Sequence, residues 1–260
     1  MTLGGWRWAS ASAIGTSHQK DSSPCQDAHK CATVIDGSGQ EVLVCIVSDG
    51  AGSAPRGGEG AEIVCEILCQ FLSSWLQSGK KATDLSKSVI SLGMDTFRQD
   101  IGLLAVSESR PFRDYSCTCL GAIVGENYSA FFQIGDGCIV IRPADDVEFQ
   151  WVFWPERGEY ENTTYFATGD DWIKHIQFDS ALGSVAEIAL FTDGLQRLAL
   201  DLGLQIPHQG FFKPVFKPLQ CLMAGFSEEL SKSLAAFLDS ERVNGRTDDD
   251  KTLVLASRIF

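Results

Sequence analysis

Three apolar runs in this chain stop at an aspartate that precedes glycine: VCIVSDG reaches Asp49, FFQIGDG reaches Asp136 and ALFTDG reaches Asp193. A fourth run, TDDDKTLVL, opens with Asp248, Asp249 and Asp250. All four are dense in β-branched or aromatic residues and read as strands, so carboxylates mark four strand ends. Asp-Gly by itself is a turn signal. That suffices for Asp136, which lies between two strand-like runs, but Asp49 and Asp193 are followed by helix-like sequence instead of a returning strand. If the strand ends meet, their like charges repel, and a bound cation is needed to make the arrangement tolerable. Aspartate oxygens completed by water suit Mg or Mn, whereas zinc would call for His or Cys. Two such ions bridged by one carboxylate lower the pKa of a shared water and clamp a phosphoryl group.

The rest of the chain frames those ends. EVLVCIVSD is continuous and β-branched, as a buried strand requires. Ile63, Val64, Ile67, Leu68, Phe71, Leu72 and Trp75 recur on one helical face, and a second helix is expected after Asp84 with Leu85, Val89, Phe97, Ile101 and Leu104 inward. YSCTCLGAIVGENYSAFFQIGDGCIVIRP reads as three strands joined by turns at 125–127 and 135–137. A polar and aromatic stretch of weak periodicity, about 145–180, precedes the strand EIALFTDG. Ser227 to Leu238 reads as a capped amphipathic helix with Glu228 and Glu229 in its first turn, and KTLVLASRIF as a final strand. No repeat or linker-like block interrupts 260 residues that are 44% apolar, so a single domain, 1–260, is expected.

A formal charge of −13 sets the chain against nucleic acid and anionic membrane surfaces as partners. Nine cysteines, Cys45, Cys65, Cys69, Cys138 and Cys221 among them, lack zinc-site spacing and read as small buried hydrophobes. Cys117 and Cys119, a lone C-x-C, are expected on opposite faces of a strand. MTLGGWRWASASAIG lacks the apolar core of a signal peptide and no stretch approaches a membrane span, so the cytoplasm is the expected compartment. VSDGAGSAPRGGEGA holds five glycines, whose expected use is to bring the main chain close to the ions and leave room for phosphate. A P-loop would need Lys-Ser/Thr after the last glycine, and Pro55 stands where a dinucleotide fingerprint wants glycine.

SSPCQDAH (residues 22–29), VSDGAGSAPRGGEGA, YSCTCLGAIV with FFQIGDGCIVI, LFTDGL and TDDDKTLVL occur in the order and approximate spacing of known motifs. They are those of the type 2C, or PPM, metal-dependent protein phosphatases. Over nearly its whole length the chain resembles a divergent bacterial branch of that family. The resemblance implies an α+β fold, a four-layer α-β-β-α sandwich of two antiparallel sheets flanked by helices, with the metal cleft at one end and a variable flap-like segment near 145–180. It implies two Mn2+ or Mg2+ ions, and a looser third in many members. By motif, Asp49 bridges both ions and the Gly50 carbonyl ligates one. Asp193 and Asp249 complete the first ion's ligands, Asp249 because it lies three residues before Thr252. Asp27 and Gln26 match the pair near the second ion, Asp136 joins Asp193 at the third, and Asp250 supports.

Two family features are absent. An arginine that holds the substrate phosphate in many members is replaced by Ser22, leaving His18, Lys20 or Arg56 as substitutes, with His18 favoured. A histidine proposed as general acid is replaced by Ala51, which loose phosphoryl transfer tolerates. His29 is expected to face away from Asp27 in a structural role, and Trp151, Trp154 and Trp172 to pack the core and flap, an exposed pair being placed to touch a protein substrate. The resemblance implies a phosphoserine/phosphothreonine protein phosphatase that activates water without a phospho-enzyme, with a partner Ser/Thr kinase as one substrate of such bacterial members. Two alternatives stay open: a catalytically silent binding module, supported by Ser22, and hydrolysis of a non-protein phosphate ester.

Overall fold

The computed structural model describes residues 5–155 and 164–260. The chain runs through β1 (Trp6–Ala13), α1 (Thr16–Asp21), β2 (Asp27–Ile35), β3 (Glu41–Asp49), α2 (Gly57–Gln77) and α3 (Lys87–Ser107). Next come β4 (Cys119–Val124), β5 (Tyr128–Ile134), β6 (Cys138–Pro143), β7 (Gln150–Trp151), α4 (Trp172–His175), β8 (Gln177–Leu182) and β9 (Val185–Phe191). There follow α5 (Gln196–Ala199), β10 (Leu200–Asp201), β11 (Ile206–Pro207), α6 (Gln209–Phe216), β12 (Gly225–Phe226), α7 (Glu228–Leu238), α8 (Glu241–Asn244) and β13 (Lys251–Arg258). Among the described residues no helix is long and apolar enough to cross a membrane.

Two sheets form the centre, one ordered β2-β3-β4-β5-β8 and the other β12-β1-β13-β9-β6-β7. Strand β3 is apolar from Val42 to Val47 because both its faces are covered. Val42, Val44 and Ile46 pack under α2 and α3 with Val64, Leu68, Leu72, Ile90 and Phe97. Leu43, Cys45 and Val47 face the second sheet and meet Ile188, Leu190 and Val254. That sheet's outer face, with Phe191, Leu253 and Leu255, is covered by Phe212 and Phe216 of α6 and Leu234 and Leu238 of α7. The layers are therefore α-β-β-α, as the resemblance implied. Helix α7 starts where its cap residue stands, the Ser227 hydroxyl accepting a hydrogen bond from Leu230 N.

Several local expectations change. The second sheet is not wholly antiparallel, since β12 pairs parallel with β1 at its edge. Residues 135–137 do not close a hairpin: β5 belongs to the first sheet and β6 to the second, so this turn carries the chain from one sheet to the other. The buried stripe of α3 is Ile90, Met94, Phe97, Ile101 and Ala105, with Val89 and Leu104 at its half-buried border. Within 145–180, β7 and β8 extend an edge of each sheet. The rest of that flap-like segment includes 156–163, outside the described residues. Trp172 is buried, whereas Trp151 is exposed and stacks edge-on with Trp154 at 5.9 Å. Cys117 and Cys119 are both buried in the core beneath α2, because residues two apart in extended chain share a face. Cys221 is exposed.

The glycine knot after β3 is a packing device. A Cβ on Gly50 would lie 2.2 Å from the Gly57 carbonyl carbon, and one on Gly60 would lie 2.1 Å from the Tyr115 carbonyl oxygen. Bare backbone lets the start of α2 fold back onto the end of β3. Close backbone packing is therefore one requirement that both glycines meet. Gly60→Ala is expected to cost about 2 kcal/mol or more of unfolding free energy, because backbone must shift to admit the methyl group. Urea denaturation of the variant beside the wild type measures it; an unchanged midpoint would contradict the packing described.

Candidate active site

Strands β2 and β3 are antiparallel in a register that sets Asp27 directly opposite Asp49. Alternation along β3 turns Asp49 the same way as Leu43, Cys45 and Val47, toward the second sheet. From that sheet, β9 delivers the turn Asp193–Leu195, and β13 begins just after Asp249 and Asp250. The crossover between sheets delivers Asp136. The carboxylates spread through the sequence thus gather at one end of the sandwich.

Their electrostatics record the crowding. Burial pushes the Asp49 carboxyl well above the carboxylate range, and Asp27, Asp193, Asp249 and Asp136 push it further. Asp27 is raised for the same first reason, opposed by the Thr192 hydroxyl and then reinforced by Asp250. Asp193 is pushed up to about 7 by burial, Asp136 and Asp249, against hydrogen bonds with Asp49 and the Gly194 backbone. Asp249 stands at the solvent-facing rim, where partial loss of water on its inner side is the first cause of its raised carboxyl.

The two adjacent aspartates of TDDDK divide the work. Asp250 is buried and filled: it accepts from Gly15 N and Gln26 N, each at 2.6 Å, and from His18 Nδ1 at 2.9 Å. It ties the start of β13 to α1 and to the start of β2, leaving Asp249 as the ligand candidate. The Asp49 backbone is clamped too, its N–H donating to Thr118 Oγ1 at 2.9 Å and its carbonyl accepting from Thr118 N at 2.8 Å. Asp136 accepts from Thr164 Oγ1 at 2.8 Å.

Two acceptors at this end have no partner: Asp27 Oδ1 and Gln26 Oε1 are buried without a hydrogen bond. Such atoms are costly unless a cation or its water occupies them, so the donor set fits a hydrated hard ion. Among the described residues no three acidic, histidine or cysteine side chains already form a metal cage.

The phosphate-binding candidates separate. His18 joins the cluster through Asp250. Arg56 does not, being paired with Glu59 at 3.4 Å and Glu108 at 3.7 Å. Ser22 closes α1 in the left-handed conformation, with φ of 56°. His29 reverses its expectation: it shares a face with Asp27, as residues two apart must. Its Nδ1 meets Ser12 Oγ at 3.0 Å, and Ser12 Oγ meets Thr252 Oγ1 at 2.6 Å. Burial lowers the His29 pKa to about 4, so the ring is neutral. Thr192 was not singled out by sequence reasoning. Its hydroxyl donates to Asp27 Oδ2 at 2.7 Å and accepts from Thr252 N at 2.9 Å, and its only signal was its place before Asp193 in LFTDGL.

The family model for Protein phosphatase 2C matches residues 14–239. The chain belongs to the protein phosphatase 2C family. It is 36% identical over 252 residues to Serine/threonine-protein phosphatase 3 of Escherichia coli (strain K12), covering 96% of this chain and 98% of that one. Serine/threonine phosphatase Stp1 from Staphylococcus aureus superposes with a TM-score of 0.58 at 15% identity, over 96% of this chain and 94% of that one. The catalytic domain of the serine threonine protein phosphatase PstP, solved with two manganese ions, gives 0.62 at 14% identity, over 99% and 100%. At these identities the solved structures bear on the fold. Family membership makes this chain a metal-dependent protein phosphatase.

Raised carboxyl groups favour the metal-free fold while they are protonated. Their stabilisation is complete below about pH 4, the ordinary range, and for Asp193 is lost as pH rises through about 7. In EDTA the melting midpoint is therefore expected to fall by roughly 5 °C or more between pH 5 and pH 8. Saturating Mn2+ should abolish most of that fall. Thermal scans with and without metal decide it, and equal slopes in both would contradict a cation-neutralised cluster.

Proposed function

We propose that this chain hydrolyses phosphoserine and phosphothreonine esters on proteins, using two Mn2+ or Mg2+ ions held by its clustered aspartates. The observation that carries this reading is the gathering of Asp27, Asp49, Asp136, Asp193 and Asp249 from both sheets, with Asp27 Oδ1 and Gln26 Oε1 left as open acceptors. Asp49 would hold both ions and the Gly50 carbonyl one of them, Asp193 and Asp249 the first, Asp27 and Gln26 the second, and Asp136 with Asp193 a third. When bound, the ions supply charge neutralisation and Lewis acidity toward water and the phosphoryl oxygens. Asp250 fixes His18 through Nδ1, and in the imidazolium form, with a proton on each ring nitrogen, Nε2–H would face the substrate phosphate in place of the missing arginine. Thr192, Thr118 and Thr252 hold the ligand aspartates in place. Phosphoryl transfer depends chiefly on such positioning and charge neutralisation, so Ala51 in place of an acid is compatible with turnover. The E. coli relative's name and the PstP structure support the substrate and manganese assignments. We place the activity in the cytoplasm, with a partner Ser/Thr kinase among its substrates.

Hydrolysis of an aryl phosphate is expected to require Mn2+ or Mg2+, to stop in EDTA, and to fall by more than about a hundredfold in Asp49→Asn. Undiminished activity in that variant would overturn the assigned site. His18→Ala is expected to raise KM more than it lowers kcat, the mark of lost ground-state binding. Steady-state kinetics on one phosphopeptide separates the two parameters, and an unchanged KM would remove His18 from the phosphate site.

A further inference from the structure

Outside the second sheet, elements α5 to α8 enclose a groove of about 450 Å³. Its apolar lining includes Phe211 and Phe237, whose ring centroids are 6.4 Å apart. Arg197, Arg242, Arg246 and His208 line it as well. In a chain of net charge −13, none of these three arginines has an ion-pair partner among the described residues. Arg56, Arg110 and Arg142 are occupied by carboxylates and Arg98 and Arg258 by carbonyl oxygens, while Arg113 likewise has no ion pair among the described residues. Free guanidinium groups around an apolar hollow are complementary to an anion with an apolar body.

Two of the groove's arginines lie close in sequence to aspartates of the cleft. Arg197 follows Asp193 by four residues and Arg246 precedes Asp249 by three. Even fully extended, those spacings keep the arginine Cα atoms within roughly 15 and 11 Å of the aspartates. A phosphorylated residue held in the cleft therefore has neighbours within about five positions that reach the groove.

Building on the phosphatase reading above, we propose that this groove binds an acidic stretch of the phosphoprotein substrate beside its phosphorylated residue. A bulky apolar side chain sits on Phe211 and Phe237, and flanking carboxylates face Arg197, Arg242 and Arg246. The groove gives a strongly acidic enzyme a local patch for acidic sequence that its overall field repels.

The test compares two phosphopeptides, one flanked by glutamates and a phenylalanine and one by neutral polar residues, with an aryl phosphate as control. The wild type is set against Arg197→Gln/Arg242→Gln/Arg246→Gln, and Arg242→Glu alone is the second variant. The triple variant is expected to lose about tenfold in kcat/KM on the acidic peptide through KM, with the neutral peptide and the aryl phosphate unchanged. Added salt should shrink the wild-type preference. Equal rates of wild type and triple variant on the acidic peptide would overturn the groove assignment, as would a loss common to all three substrates. If the wild type cleaves no phosphopeptide, the phosphatase reading fails and the groove is read by fluorescence anisotropy of the labelled acidic peptide. Binding weakened in both variants supports the groove; binding equal to wild type, or seen only with phenyl phosphate as the probe, overturns it.

Discussion

Mutual repulsion among buried aspartates is the constraint around which the molecule is arranged. Desolvation already raises the Asp27, Asp49, Asp193 and Asp249 carboxyls, and the neighbouring charges compound it, so the cluster is tolerable only protonated or neutralised by cations. The surroundings answer with fixed partners. Thr192 spans Asp27 and the β13 backbone, Thr118 clamps the Asp49 backbone, and Asp250 absorbs three donors. The acids are held by neutral hydroxyls and amides that do not compete for their charge. Two histidines join this framework: His18 through Asp250, and the buried, neutral His29 through Ser12 and Thr252.

Much of this was legible in the sequence because strand ends keep their character. A run such as VCIVSD, apolar on both faces and ending in acid, has to lie between layers with its last residue at an edge. Asp49, Asp193 and Asp249 follow from that, and the layer order from helical stripes such as Val64, Leu68 and Leu72. What the sequence withheld depends on which sheet a strand joins. Gly135-Asp136-Gly137 carries a hairpin signal, yet tertiary pairing sends β5 and β6 to different sheets, and no local pattern encodes that choice. The weak edge strands β7 and β8 have too few inward residues to announce themselves. His29 was misplaced by a different error: strand alternation sets residues two apart on the same face.

The hydroxyls were silent for a chemical reason. Thr192, Ser12 and Thr252 act by accepting and donating within one buried chain, and a threonine in a strand is ordinarily only a β-branched filler. Burial gives such groups their value, since an unpaired polar atom beside a carboxylate is expensive. Thr192, itself held by the Thr252 backbone, therefore links the two sheets through Asp27 at the place where charge would drive them apart.

Strand β13 illustrates how widely the cleft is distributed along the polypeptide. It is the last strand in chain order, yet it lies in the interior of its sheet, between β1 and β9, and it carries Asp249 and Asp250 to the cluster. Asp27 and Asp49 are synthesised long before it. During translation the early aspartates thus emerge without their counterparts, and on the proposed ligand set the metal centre would be complete only once the strand near residue 250 inserts itself between neighbours already made. On that reading, acquisition of activity would be coupled to completion of the sandwich.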